Sequence, residues 1–316
     1  ADKMKIRQYI EYWFLLSIVF MANTMPLAFT FWFAGALADF VFFILKIRVT
    51  ETVDNLKTAF GSGKTEKDLK KLARKVYRNF LMMSVESMRI PHMSDDEIKA
   101  VTVMHGIEHI ENALKKGRGM VFVSCHYGNW ELMGTAMRAN GFPVTYIDGE
   151  QKNKLVEDYM SRLRLDSGIK LIERKHALRG AIRTLKNNEI LALMSDQNAG
   201  PDGVFVDFFG KPASTPQGAA AFSLKTGAPI VLGYNVPDEA RRCNNVYFMP
   251  IEPELTGNEE KDIFIITQNF TRKFEEFIAR EPQHYFWLHR RWKYSPKTNN
   301  VAVLGLHPIQ PKNRQP

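Results

Sequence analysis

The sequence predicts an α/β fold: a largely parallel sheet flanked by helices, with a membrane helical segment in front of it. Three observations carry this. From about residue 101 onward, short apolar runs alternate with helix-length amphipathic stretches. Over 49–100 the chain is charged, but Leu69, Leu72, Val76, Phe80 and Met83 form an apolar stripe at three- and four-residue spacing, as on one helix face. Between Gln8 and Leu45 the only charges are Glu11 and Asp39.

Residues 1–48 are the expected anchor. Pro26 to Leu45 is 20 residues, about 30 Å as a helix, which matches a bilayer core. Pro26 separates it from a shorter apolar limb. Lys3, Lys5 and Arg7 precede the segment and Lys46 and Arg48 follow it, so a single span, a hairpin and an in-plane insertion all remain open. A signal peptide competes, given the basic start and Ala36-Leu37-Ala38, but the apolar region is about twice the usual 7–15 residues. A buried pair of core helices is the other alternative.

The α/β region spans 101–298, followed by a loose tail over 299–316. Strands are expected at Met120–Cys125, Val144–Ile147, Ile169–Ile172, Ile190–Met194, Ile230–Tyr234 and Val246–Met249. Helices are expected over 130–139, 152–166, 177–187, 217–226 and 260–280. The chain of 316 residues carries a formal charge of +9, which suits an anionic membrane surface or another acidic partner. The N-terminal aromatics read as an interfacial belt, so no nucleic acid is expected. Two cysteines, Cys125 and Cys243, form no disulfide framework and suit a reducing compartment.

Two motif look-alikes fail on context. Gly61-Ser62-Gly63-Lys64-Thr65 lacks both the upstream glycine and the strand of a phosphate loop. His105-Gly106-Ile107-Glu108-His109 has inverted-zincin spacing, but a turn at Gly106 separates the histidines, and no metal is expected.

The stretch VFVSCHYGNWE (121–131) is different. His126 ends a buried strand, where open parallel sheets place their clefts. Gly128 gives a tight turn, Asn129 caps the next helix, and Glu131 lies in its first turn. A carboxylate on one ring nitrogen would make the other a better base toward an alcohol, and backbone N–H groups at the helix start would serve an oxyanion. A structural strand-end histidine is the plain alternative. A Ser–His hydrolase using Ser124 is the rival chemistry, since Ser124 shares the strand face of His126 while Cys125 faces away.

The hexapeptide HYGNWE (126–131) resembles the H-x4-(D/E) signature of glycerolipid acyltransferases, in the HxGNWE form of the late lipid A acyltransferase family. GIEHIENALKKGRGMVFVSCH, LMSDQN, GVFVDFFGKPASTPQGAAAFSLKTGAPIV and EPQHYFWLHRRWK also resemble its blocks, in order, over most of 101–293. The resemblance implies direct transfer of a fatty acyl chain from acyl carrier protein or coenzyme A to a hydroxyl of a membrane glycolipid, most simply a lipid A precursor. It implies no cofactor, an inner-membrane location and a cytoplasmic catalytic domain. His126 would be the general base and Glu131 its orienting partner. Gly128 and Asn129 come from the same motif. Asp196 and Gln197 match the DQ block as substrate contacts, Gly210 and Thr215 fall in the next block as a phosphate-receiving turn, and Arg164 matches a recurrent arginine. Arg290 and Arg291 suit an anionic headgroup. One departure stands out: Tyr146-Ile147-Asp148 replaces Tyr-Arg-Pro, which leaves open another amphiphile such as a phosphatidylinositol mannoside. A membrane-anchored esterase or thioesterase is the hydrolytic alternative.

Overall fold

The computed structural model describes residues 2–294 apart from 62, 148, 150, 151 and 239–242. Asp148 and the 299–316 tail therefore lie outside the described residues. Helix α1 (Asp2–Thr24) ends before Pro26, which occupies the N-cap of α2 (Leu27–Phe40). A π-helical turn, Val41–Leu45, prolongs α2, so that Leu27–Leu45 is long and apolar enough to cross a bilayer. Only 28% of its most apolar window is buried, unlike a core helix. Its inner side does pack on the protein. Asp39 lies 2.7 Å from both Arg74 and Arg78 of α4 (Glu66–Ser87), and Ala22, Ala34 and Val85 form a small buried cluster. The other side presents Phe29, Trp32, Phe43 and Ile44.

Between these helices lies α3 (Val49–Phe60), whose Asn55 amide donates to Trp287 O at 2.8 Å and ties the helical region to the C-terminal segment. Thr65 caps α4 through a reciprocal box with Asp68, so Gly61 and Gly63–Lys64 lie between two helices and not after a strand. A second box, Ser94 with Glu97, starts α5 (Asp95–Ala100).

The sheet begins with β1 (Thr102–His105), followed by α6 (Ile107–Leu114), β2 (Met120–Ser124), α7 (Trp130–Ala139), β3 (Val144–Ile147), α8 (Lys154–Asp166), β4 (Lys170–Ile172), α9 (Ala177–Lys186) and β5 (Ile190–Met194). A separate antiparallel hairpin, β6 (Val204–Phe208) and β7 (Lys211–Thr215), was not expected from the sequence; its short polar-interrupted strands alternate too weakly. The chain continues through α10 (Gly218–Thr226), β8 (Ile230–Asp238), β9 (Cys243–Ile251) and α11 (Glu259–Arg280). Strand order is β1-β9-β8-β2-β5-β3-β4, parallel throughout except for the β8–β9 pair. All five residues of β2 are buried, as its unbroken apolar run requires of a central parallel strand. Gly106, at φ +79°, turns the chain between His105 on β1 and His109 on α6.

Candidate active site

Strands β2 and β5 are parallel neighbours with Ser124 opposite Met194, so the residues just past each carboxyl end arrive side by side. Ser195 N donates to Ser124 O at 2.8 Å and fixes that register beyond the strands. The next residues are His126 and Asp196. His126 Nδ1 lies 2.7 Å from Asp196 Oδ1, and the His126 backbone N–H donates to Asp196 Oδ2 at 3.0 Å. Asp196 is buried. Burial alone would raise its carboxyl, but the charge and hydrogen bonds of His126, together with the field of Arg291, hold it below the usual carboxylate value. An ionised carboxylate on Nδ1 keeps the proton there and leaves Nε2 as the basic nitrogen. The Gln197 side-chain amide lies 3.5 Å from that Nε2.

This corrects the expected pairing. Asp196, anticipated as a substrate contact, holds the imidazole, whereas Glu131 is turned away to Arg164 at 2.6 and 3.2 Å. The reason is helical phase. Trp130, first residue of α7, places its ring edge-on to His126 with centroids 4.9 Å apart, and Glu131, about 100° further round, reaches α8. Arg164 is correspondingly engaged by Glu131.

The loop between them is tightly determined. Gly128 has φ +57°, and a Cβ there would sit 2.1 Å from Asn235 O. The N–H groups of Tyr127 and Gly128 donate to Cys125 O and His284 O, so these two are not oxyanion donors. Asn129 caps α7 by accepting from Leu132 N at 3.0 Å, while its amide donates to Glu86 at 2.6 Å.

Other expected contacts fall elsewhere. Gly210 turns the β6–β7 hairpin and its N–H is taken by Asp207 Oδ1 at 3.1 Å, so it forms no phosphate nest. Thr215 is buried, and its hydroxyl accepts from Arg291 Nη2 at 2.5 Å. Arg291 also donates to Ser214 O and stacks over Phe208. It is 3% exposed, which makes it an internal lock between the hairpin and the C-terminal segment and not a headgroup contact. Arg290 does face outward, paired with Glu51 at 2.6 Å. The hydrolase rival loses its nucleophile: Ser124 is buried and donates to Gly233 O at 2.7 Å, and burial pushes the Cys125 thiol up.

Two openings are lined by neighbours of the His–Asp pair. An apolar cavity of about 600 Å³ runs from Leu27 and Phe31 of α2, past Phe80 and Met83 of α4, to Trp130 and Phe286. Both of those last rings neighbour His126, Phe286 with a centroid distance of 6.1 Å. On the Gln197 side a basic cleft of about 510 Å³ is lined by Arg48, Asn198, His289, Arg290 and Lys293. His289 accepts from Asn198 N at 2.9 Å, and burial lowers its pKa to about 4, so it is a neutral acceptor there.

The C-terminal segment, expected as a family block whose arginines suit an anionic headgroup, also reaches the site: Phe286 N donates to His126 O at 2.9 Å. Its aromatic run FWLH was the available signal. Glu86, Asn235 and Asn244 gave no sequence signal, because each is a single polar residue in an otherwise ordinary helix or strand.

The chain is 26% identical over 224 residues to a phosphatidylinositol mannoside acyltransferase of Mycolicibacterium smegmatis, covering 70% of this chain and 72% of that one. It is 26% identical over 286 residues to the lipid A biosynthesis palmitoleoyltransferase of Escherichia coli, covering 90% and 91%. The lipid A biosynthesis lauroyltransferase of the same organism is 24% identical over 287 residues, covering 90% and 92%. Residues 1–294 match the bacterial lipid A biosynthesis acyltransferase family as a whole, and the chain, an acyltransferase acting on glycolipids, belongs to that family.

Proposed function

We propose that this enzyme moves a fatty acyl chain from a thioester, on acyl carrier protein or coenzyme A, to a hydroxyl of a lipid A precursor. The carrying observation is the His126–Asp196 pair, whose ring neighbours Trp130 and Phe286 line an apolar cavity, with Asn198, one residue past Gln197, lining a basic cleft. The acyl chain occupies the cavity, and the phosphate-bearing sugar lies toward Arg48, Arg290 and Lys293. The acceptor hydroxyl gives its proton to His126 Nε2 as its oxygen attacks the thioester carbonyl. Asp196 stabilises the imidazolium that forms. The tetrahedral intermediate collapses by breaking the C–S bond, and the thiolate leaves with the proton held on His126. Gln197, beside Nε2, is the candidate donor to the oxyanion. A thioester is already activated, so a positioned base and an oxyanion donor suffice without an acyl-enzyme.

The same reading puts the protein on the cytoplasmic face of a bacterial inner membrane. The α2 helix is packed along α4, which carries Lys67, Lys70, Lys71, Arg74, Lys75 and Arg78. A charged helix held against α2 favours an anchor lying in the interface over an isolated crossing. A phosphatidylinositol mannoside is the second reading for the acceptor, favoured by the equal identity to the mycobacterial enzyme. Mass spectrometry of lipids from cells lacking and regaining the protein tests both: an acyl group gained on lipid A supports the first, one gained on a mannoside the second, and no acylated lipid refutes the proposal.

A further inference from the structure

An acyl cavity needs no polar wall, yet besides the exposed Glu97 and the half-buried Asp238 this one is lined by the carboxyl of Glu86. Glu86 lines the cavity from α4, and Asn129 and Asn244 line it beside Glu86. The Asn129 amide donates to Glu86 Oε2 at 2.6 Å, and the Asn244 amide lies 3.4 Å from Oε1. Among the described residues no cation pairs with Glu86. Its burial raises the carboxyl above the ordinary value, with the two amides only partly offsetting this. Asn244 is 4% exposed and its Oδ1 has no donor. A buried carboxyl with no cation beside it and an unfilled amide oxygen, in a cavity also lined by Leu27, Phe31, Phe80 and Met83, destabilise the empty fold, and an apolar side chain at 86 would line the same wall without that cost.

These groups suit a ligand that is apolar along its length and carries one small group able both to donate and to accept. A carboxyl that takes up a proton readily can give or receive a hydrogen bond, and an amide oxygen can only receive one. We infer that the cavity selects an acyl chain bearing a hydroxyl, bound by Glu86 with Asn244 beside it. Asn129 joins this cluster to the loop of His126, three residues away, so the hydroxyl belongs near the carbonyl end, at the 2- or 3-position. The inference rests on the acyl-transfer reading and adds the chemical class of its donor.

The test compares tetradecanoyl, 2-hydroxytetradecanoyl and 3-hydroxytetradecanoyl thioesters, each offered on acyl carrier protein and on coenzyme A, with the purified full chain and a lipid A precursor. The wild type is expected to prefer one hydroxyacyl donor by about three- to tenfold in kcat/KM, the worth of one additional buried hydrogen bond. Glu86→Leu should bring that ratio to about one or below, and Glu86→Gln, which keeps a hydrogen-bonding group, should retain part of it. Asn244→Ala should lower the ratio too, and it serves if the Glu86 variants do not fold. Transfer from all donors without discrimination, or a ratio unchanged by Glu86→Leu or Asn244→Ala, overturns the inference and leaves acyl transfer standing. No transfer from any donor overturns both.

Discussion

Replacing Asp196 by asparagine removes one charge and almost no volume, so it isolates what the carboxylate does for His126. The structure gives Asp196 two hydrogen bonds to that residue, at 2.7 Å to Nδ1 and 3.0 Å to the backbone nitrogen. The backbone bond is the same in ground and transition states. The Nδ1 bond is not, because it becomes an ion pair only when the base has taken the acceptor's proton. A charge-assisted bond is worth about 1.5–3 kcal/mol, which alone corresponds to roughly a 10- to 150-fold loss. An amide can also present its NH₂ to Nδ1, which moves the imidazole proton to Nε2 and removes the base. Together these predict that Asp196→Asn lowers kcat by about a hundredfold to ten-thousandfold. Substrate KM should change by no more than about threefold. Steady-state kinetics with a radiolabelled acyl thioester, corrected for folded fraction by circular dichroism, measures both. Asp196→Glu should recover part of the rate, which a merely structural role for the site would not produce. A kcat within about fivefold of wild type would refute the orienting role of Asp196 and return it to Glu131.

Glu131→Gln should act through folding more than through chemistry. Breaking this half-buried pair with Arg164 should cost about 1–3 kcal/mol of stability, and the Glu131→Gln, Arg164→Gln double variant should lose less than the two single losses added together, as thermal unfolding of the three proteins would show. A full additive loss would mean that the pair is not coupled. Arg291→Ala should destabilise the fold by about 2–4 kcal/mol by emptying a buried hydrogen-bonded site, while Arg290→Ala leaves Tm nearly unchanged and weakens binding to anionic vesicles most at low salt. The reverse pattern would restore Arg291 to the surface role. His289 gives a pH signature. Its folded pKa of about 4 lies below the ordinary histidine value, so its contribution to stability is complete above about 6.5 and declines as pH falls toward about 4, where it levels off. Unfolding midpoints across that window should slope downward with acid in the wild type and less so in His289→Gln; equal slopes would contradict the assignment.

Much of the fold could be read from local patterning, because buried parallel strands announce themselves as apolar runs and the intervening helices by their spacing. Five of the six expected strand cores begin within a residue or two of an observed strand, and β9 begins earlier, at Cys243, because Asn244 and Asn245 are polar on a strand near the sheet edge. The hairpin β6–β7 was hidden by its proline and by Phe209 and Gly210, both at positive φ in its turn. His126, Gly128 and Asn129 were legible for the same reason as the strands: strand end, turn and cap are local events. The partner of His126 was not. Which carboxylate reaches an imidazole depends on strand order, and only the adjacency of β2 and β5 places Asp196, 70 residues away in sequence, closer than a glutamate five positions on. Arg291 misled for a related reason, since a basic cluster in sequence says nothing of which arginine turns inward to Ser214 and Thr215.

If His126 drives acyl transfer directly to a lipid hydroxyl, the product formed by purified His126→Ala beside wild type will show it. With a lipid A precursor and an acyl thioester, mass spectrometry of the wild-type reaction should show the acceptor heavier by one acyl group, with little free fatty acid. His126→Ala should form that product roughly a hundredfold to ten-thousandfold more slowly, with membrane binding and Tm kept. Near wild-type acylation by the folded variant, or free fatty acid as the wild-type product, would contradict the account.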